Sequence, residues 1–410
     1  MLDNSAWKKG EISLLNVLDI FAGAGGFSLG FKLAGCNIIG AIEEDEWAAE
    51  TFAYNHKDAK VLVGDIQQFS DNYLLDIFKH NRPNIVLGGP PCQGYSVCVK
   101  NAGDPTDPRN SLFKEFLRIG RLFNPDYLIL ENVPNLAKAK THLNESVIKI
   151  IKKQLEEIGY HVYSNSLEAI KYGVPQIRCR LFIIASRYPL KVPFPEPTHY
   201  FSDNTQLNIF DSNLKLCPTL WEAISDLPEI NAREGQEEME YDKEASNGYQ
   251  QQARLGSAKV CNHVAMKHSK RTVERFASMS WGESISDVPE HLKPYERNSK
   301  GVISAKVYDQ NSRRLHPNKP CHTIAASFYA NFVHPYKHRN FTAREGARIQ
   351  SFPDWFIFKG KPTVVSQKLL QREGRLNEKH LCQYNQIGNA VPPLLAKAIA
   401  TNLMETSQRC

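Results

Sequence analysis

No apolar run in this 410-residue chain approaches the roughly 18 residues that a membrane-spanning helix requires. The opening stretch, MLDNSAWKKGEIS, lacks the apolar core of a secretion signal, so a cytosolic protein is expected. Disulfide spacing is missing too. The nine cysteines, Cys36, Cys92, Cys98, Cys179, Cys217, Cys261, Cys321, Cys382 and Cys410, are scattered, odd in number and never C-x-x-C. Strong charge of one sign is absent, since the net charge of +6 is mild and names no partner by itself. There is no internal repeat, and the acidic EGQEEMEYDKE is the one biased tract. With 42% hydrophobic and 23% charged residues, the composition excludes disordered and fibrous classes and fits a globular enzyme.

What is present is a regular alternation. Continuous apolar runs at 14–20, 37–42, 60–64, 84–89, 126–132 and 180–186 read as strands buried on both faces. Between them FSLGFKLAG, EWAAETFAYNH, SLFKEFLRIGRLF and NESVIKIIKKQLEEIG carry helical spacing. The pattern predicts an α/β fold, a doubly wound and mostly parallel sheet. A chain of 410 residues exceeds one core, and from about 200 to 310 the sequence turns polar and aperiodic, so a second, smaller and irregular domain is expected there. Near the end QYNQIGNAVPPLLAKAIATNL (383–403) predicts a Gly-Asn turn, a proline pair and a helix. KHSKRTVER (267–275) and YKHRNFTAREGAR (336–348) are locally basic.

In an open parallel sheet ligands gather beyond the carboxyl ends of the strands. There the first run leads into DIFAGAGGF (19–27), the second into Glu43, Glu44 and Asp45, the third into Asp65, the fourth into PPCQG and the fifth into Glu131 and Asn132. Gly23, Gly25 and Gly26 let the backbone approach a ligand, and Glu43 is placed for ribose hydroxyls. The spacing departs from G-x-G-x-x-G and no basic residue awaits a pyrophosphate, which favours a nucleoside without phosphates over a nicotinamide dinucleotide. Asp65 is placed for the adenine amino group. A lone cysteine at a strand end is ordinarily packing. Around Cys92, however, two prolines fix the backbone and Gly94 clears space, a frame suited to a nucleophile meeting a flat substrate. Glu131 follows the apolar LIL, so its pKa is expected to be raised and its carboxyl to donate a hydrogen bond. QIRCR (176–180) puts Gln176, Arg178 and Arg180 on one side of a strand, for an anion or a carbonyl. Cys261, His263 and His268 lack a fourth ligand at metal spacing, and no metal is expected.

Taken together, DIFAGAGGFSLGF, GGPPCQGYS, ENV, QIRCR, RRLHPNKPCHTIAAS, TAREGARIQSFPD and QIGNAVPP resemble, in order, the DNA (cytosine-5)-methyltransferases of bacterial restriction–modification systems. The resemblance implies a Rossmann-like class I fold that binds S-adenosylmethionine and releases S-adenosylhomocysteine. It implies a cofactor site of Asp19, Phe21, Ala22, Gly23, Gly25, Gly26, Glu43, Asp65, Ile66, Pro90, Asn389 and Val391. Cys92 matches the nucleophile, Glu131 the acid at ring nitrogen 3, Arg180 the arginine facing the cytosine carbonyl, and Arg178 its support. The catalytic domain would span 1–200 and 382–410, with target recognition in 201–381, and the target cytosine would be flipped out of the duplex. DNA contacts are expected from Gln93, Ser96, Lys100 and Arg109 in a closing loop and from Lys267, Lys270, Arg271 and Arg275. The implied partner is double-stranded DNA met as a monomer, in the bacterial cytoplasm, with a restriction endonuclease encoded alongside but not bound. Tyr95 stands where the family commonly has Phe, and 359–382 is an extra segment, read as a surface insertion. A transfer-RNA methylase would carry a shorter recognition region, and a silent DNA-binding protein would not need Cys92, Glu131 and Arg180.

Overall fold

The computed structural model describes residues 14–90, 112–140, 144–202, 213–296, 301–304, 311–363, 367–376 and 379–407. Strand alternation decides how the first half folds. In β1 (Asn16–Ile20) Val17 joins one apolar cluster while Leu18 and Ile20 join another, on the opposite face of a single sheet. After β1 come α1 (Gly26–Leu33), β2 (Asn37–Glu43), α2 (Glu46–Asn55), β3 (Lys60–Val63), α3 (Asp71–Phe78) and β4 (Ile85–Gly88). Then follow α4 (Leu112–Phe123), β5 (Tyr127–Asn132), α5 (Val147–Glu157), β6 (His161–Glu168), β7 (Gln176–Ile177) and β8 (Cys179–Ser186).

The seven-stranded sheet has the order β3-β2-β1-β4-β5-β8-β6, parallel except for β8, which runs antiparallel to both neighbours. One face is covered by α1 and α2 through Phe27, Phe31 and Phe52. The other is covered by α3, α4 and α5 through Phe78, Phe116, Phe123 and Ile151. This is the doubly wound fold the sequence pattern predicts. The strand order reverses between β1 and β4, so the crevice at a topological switch point lies between the glycine loop and the Gly89-Pro90 end of β4.

The remaining chain adds short elements. They are β9 (His199–Tyr200) paired with β10 (Lys215–Leu216), α6 (Leu220–Ile224), and β11 (Gly235–Met239) antiparallel to β12 (Val260–Val264), with α7 (Gly248–Arg254) between the two. Next are α8 (Lys270–Ala277), β13 (Arg313–Arg314), β14 (Cys321–His322) paired with β7, α9 (Phe328–Asn331) and β15 (Phe332–Val333) paired with β13. Last come α10 (Ala343–Ile349), α11 (Gln367–Arg372), α12 (Gln383–Asn389) and α13 (Pro393–Ser407). A third cluster joins Leu220, Phe328, Phe341 and Phe356 to Tyr384 and Ile387 and reaches Ala24 and Leu29 beside the glycine loop. Residues near both ends of the chain meet where α13 lies on the first face of the sheet through Leu395, Ile399 and Leu403.

Two sequence expectations are corrected. The Gly388-Asn389 pair closes helix α12 instead of forming a free turn, because Ala390 N–H bonds back to Ile387 O. Not every apolar run is buried on both faces: β3 is an edge strand whose Val63 is 53% exposed. The polar HVYSNSLE forms the other edge, β6, a place where one wet face removes the apolar signal. The extra segment departs and returns beside α2: Ile357 N bonds Asn55 Oδ1, Leu381 N bonds Asp45 Oδ2, and the His380 ring lies 5.1 Å from that of Trp47.

Candidate active site

The glycine loop is shaped by what each position must avoid. Phe21 and Gly23 have positive φ values of 61° and 54°, the left-handed turn that lifts the chain off β1. A side chain at Gly23 would meet nothing within 4 Å, so this position faces open space. At Gly26 a Cβ would stand 2.6 Å from Val391 O, which explains why the loop and the NAV segment sit against each other. Ala22, Ile66, Pro90 and Val391 are buried around the loop and the neighbouring strand ends, whereas Asn389 is exposed. Asp65 accepts from Gln67 N at 2.9 Å and turns the chain after β3.

Two acids lie below this loop on adjacent strands. Glu43 accepts from Gly23 N at 2.7 Å and from Asp45 N at 2.9 Å, and burial raises its pKa. Asp19 accepts from Ser28 Oγ at 2.7 Å, and burial, assisted by the charge of Glu43, raises it to about 7. His56 is a residue the sequence reading missed. Its ring packs 4.4 Å from that of Phe52 under Gly25, and burial lowers its pKa to about 3, so the loop rests on a neutral imidazole.

The second half of the site is built on β4, β5 and β8. Register sets Gly88 beside Leu130 and Glu131 opposite Phe182, so the ends of these strands converge. Glu131 Oε1 lies 2.9 Å from Arg180 Nε, with its carboxylate against Gly89. Burial raises the Glu131 pKa even though Arg180 and Arg178 oppose the shift. Asn132, which follows it, donates to Pro90 O at 3.1 Å and ties β5 to the chain two residues before Cys92. Cys92 itself, with Gln93, Ser96, Lys100 and Arg109, lies outside the described residues.

Gln176 and Arg178 point inward and draw distant motifs together. Arg178 donates to Ile324 O at 2.7 Å, Gly388 O at 3.1 Å and Ala390 O at 3.2 Å. Gln176 bonds Gln350 and Ile324 N, and Gln350 continues to Ile387 O at 2.8 Å. Arg178 therefore meets backbone carbonyls and Arg180 meets Glu131, two different duties from one QIRCR stretch.

The whole of this arrangement matches a family model. The model for C-5 cytosine-specific DNA methylases spans residues 15–405. The chain belongs to that family. It is 44% identical to the type II methyltransferase M.DdeI of Desulfomicrobium norvegicum over 391 residues, 95% of this chain and 88% of that one. It is 33% identical to M1.HphI of Haemophilus parahaemolyticus, over 95% of this chain and 87% of that one. A crystal structure described as a DNA modification methyltransferase encoded within an E. coli prophage shares the fold at a TM-score of 0.70 and 26% identity, covering 96% of this chain and 99% of that one. The protein is thus an S-adenosylmethionine-dependent enzyme that methylates carbon 5 of cytosine in DNA.

Among the described residues, the first of the two basic stretches presents its lysines to the surface as a cationic edge. Lys267 and Lys270 at the start of α8 are exposed. Arg271 donates to Lys293 O at 3.0 Å and lies 4.0 Å over the Tyr295 ring, and Arg275 donates to Leu292 O at 2.5 Å, so both fasten α8 to the following turn. The second stretch turns inward. Arg339 pairs with Glu345 at 2.8 Å, Arg348 with Asp354 at 2.6 Å and Asp226 at 3.0 Å, and Arg344 donates to Cys261 O at 2.7 Å. His263 has both ring nitrogens engaged, by Thr342 Oγ1 and Pro228 O, each at 2.9 Å.

Proposed function

We propose that Cys92 is the nucleophile, Glu131 the acid and Arg180 the electrostatic partner of a covalent methylation of cytosine. The observation that carries this reading is Glu131, raised in pKa by burial, paired with Arg180 and packed against the strand end that runs into Pro90 and Cys92. The Cys92 thiolate bonds to carbon 6 of a cytosine flipped from the duplex, and the displaced electron pair is taken up as Glu131 gives its proton to ring nitrogen 3. Arg180 stabilises the charge developing on the ring carbonyl, and Arg178 positions it by anchoring the same stretch to Ile324 and Gly388. Carbon 5, now electron-rich, takes the methyl group, and loss of its proton restores the ring and expels Cys92.

S-adenosylmethionine supplies the electrophilic methyl group. The residues fit it: Gly23 faces open space, and the Glu43 carboxylate stands beside it on Gly23 N. Asp19, Phe21, Ala22, Gly23, Gly25, Gly26, Glu43, Asp65, Ile66, Pro90, Asn389 and Val391 would hold it. Residues 201–381 would form the target recognition domain, with Lys267 and Lys270 on phosphates, and Arg271 and Arg275 shaping that surface. Methylation of one short site would protect DNA from a companion endonuclease, as the type II relatives' names suggest.

The test is bisulfite sequencing of a sequence-diverse plasmid after incubation with the protein and S-adenosylmethionine, with Cys92→Ser in parallel. Protection at one recurring motif, lost in Cys92→Ser while DNA binding is kept, is expected. Protection that survives in the variant would sink the covalent mechanism, and no protected cytosine would sink the assignment to DNA.

A further inference from the structure

Among the described residues five arginines are almost fully buried: Arg178, Arg314, Arg339, Arg344 and Arg348. Buried cations ordinarily face an anion. Arg339 has Glu345, Arg344 and Arg348 have Asp354, and Arg178 lies in the field of Glu131. Arg314 differs. It is 3% exposed, and no carboxylate among the described residues pairs with it. Its Nη groups go to neutral partners, to Phe276 O at 2.5 Å, His334 O at 2.6 Å, Pro335 O at 3.0 Å and Lys337 O at 3.2 Å, and only its buried Nε is left without a hydrogen-bond partner. Glu283, whose backbone carbonyl accepts from Arg314 N at 2.8 Å, turns its carboxylate to Ser280 N at 2.6 Å.

Arg314 lines a cavity of about 390 Å³ together with Trp281, Tyr336 and His338. Arg314 Nη2 stands 3.0 Å from His338 Nδ1. A guanidinium only donates, so Nδ1 accepts and the His338 proton sits on Nε2, which is a second N–H donor. Trp281 and Tyr336 are 46% and 45% exposed, with ring planes at 90° and centroids 5.7 Å apart. The Trp281 indole N–H is already given to Pro335 O at 3.1 Å, which leaves the ring to offer apolar surface. A buried cation with no carboxylate partner among the described residues, two N–H donors and an exposed aromatic corner match an anion that carries an apolar flank.

We infer that this cavity is a phosphodiester clamp, taking one DNA backbone phosphate on Arg314 and His338 and the adjoining deoxyribose against Trp281 and Tyr336. The inference rests on the DNA reading above and adds to it a contact outside the catalytic crevice. Such a contact fixes the position of the duplex without reading its sequence.

Duplexes bearing the methylated motif, each with one uncharged methylphosphonate, test this against the full-length enzyme. One linkage should weaken wild-type binding about five- to tenfold. The same linkage should be tolerated by His338→Ala and by Tyr336→Ala, whose affinity for the unmodified duplex is already lower. Arg314→Met should in addition reduce the salt dependence of binding by about one unit of logarithmic slope. Unchanged melting and S-adenosylmethionine affinity would show that the surface variants fold. If the enzyme methylates DNA but every variant keeps the wild-type interference pattern, the clamp is wrong and Arg314 is only a strut. Inorganic phosphate quenching tryptophan fluorescence in wild type but not Trp281→Phe, and at concentrations that leave duplex binding intact, would reassign the cavity to a free anion. Failure to methylate any duplex would instead defeat the DNA reading, and this inference with it.

Discussion

Burial and ion pairing pull the Glu131 carboxyl in opposite directions, and burial prevails, leaving a side chain able to give a proton while an arginine holds its direction. Replacing it with Gln preserves shape and removes the proton. Glu131→Gln should therefore lower the single-turnover methylation rate a hundredfold or more, by order of magnitude for an acid catalyst, with S-adenosylmethionine affinity within about twofold. Equal losses in both would remove its role as acid. Asp19 carries a pH signature. In the folded chain it ionises at about 7 against a reference of 3.8, so between those values the native state keeps a proton that the unfolded state has lost. Its contribution to stability is full below about pH 4 and is lost as pH rises to about 7. Asp19→Asn should flatten that slope by an amount on the order of a few kcal/mol, read as the difference in urea stability between pH 5 and pH 8. An identical slope in the variant would refute the shift. The chemistry of Glu131 was legible because an apolar run precedes it. The partners of Asp19 and Asn132, Ser28 and Pro90 O, were not, since the packing of α1 on β1 and the pairing of β5 with β4 bring them together.

At the scale of elements, the strands and helices of the parallel half were legible from their periodicity, and the misses fall where a neighbour replaces pattern. Helix α3 begins at Ser70, whose side chain accepts from Tyr73 N, and only Leu74 and Phe78 are fully buried in it, with Leu75 and Ile77 half-buried beside them, too short a stripe to stand out. Helix α10 opens on a capping box between Thr342 and Glu345 and then buries every residue, including the arginines that its sequence alone would send to solvent. Glycines mark close approaches that composition does not reveal. A Cβ at Gly30 would lie 2.3 Å from Ala396 Cβ and 2.6 Å from Lys397 N, so α1 and α13 touch along this line. Gly30→Ala should force the two helices apart and cost about 1–3 kcal/mol, measured as a lower urea midpoint with an unchanged slope. Because α1 begins at the glycine loop, the same substitution should also weaken S-adenosylmethionine binding. A wild-type midpoint would mean that the helices part without cost.

Across the whole molecule, ion pairs buried away from the sheet connect segments distant in sequence. Arg348 is shared by Asp226 and Asp354, Arg254 reaches Asp226 at 2.6 Å, and Tyr241 donates to Asp354 Oδ2 at 2.5 Å, joining α6, α7 and α10. The Asp354 pKa is lowered, against its own burial, by Arg348 and Arg344. Arg348→Met would leave two buried carboxylates short of their main cation, a loss of about 3–5 kcal/mol where such a pair is broken from one side. The clusters on the two sheet faces hold most of the cofactor crevice, and the third cluster, packed around α10, touches it at Ala24 and Leu29. Arg348→Met should accordingly lower DNA affinity and melting temperature while S-adenosylmethionine binding is kept below the new melting point. Adding Asp354→Asn, which removes one stranded charge, should return part of the stability, and the non-additivity of the double variant measures the coupling. Loss of cofactor and DNA binding in equal measure would show instead that the molecule responds as one unit.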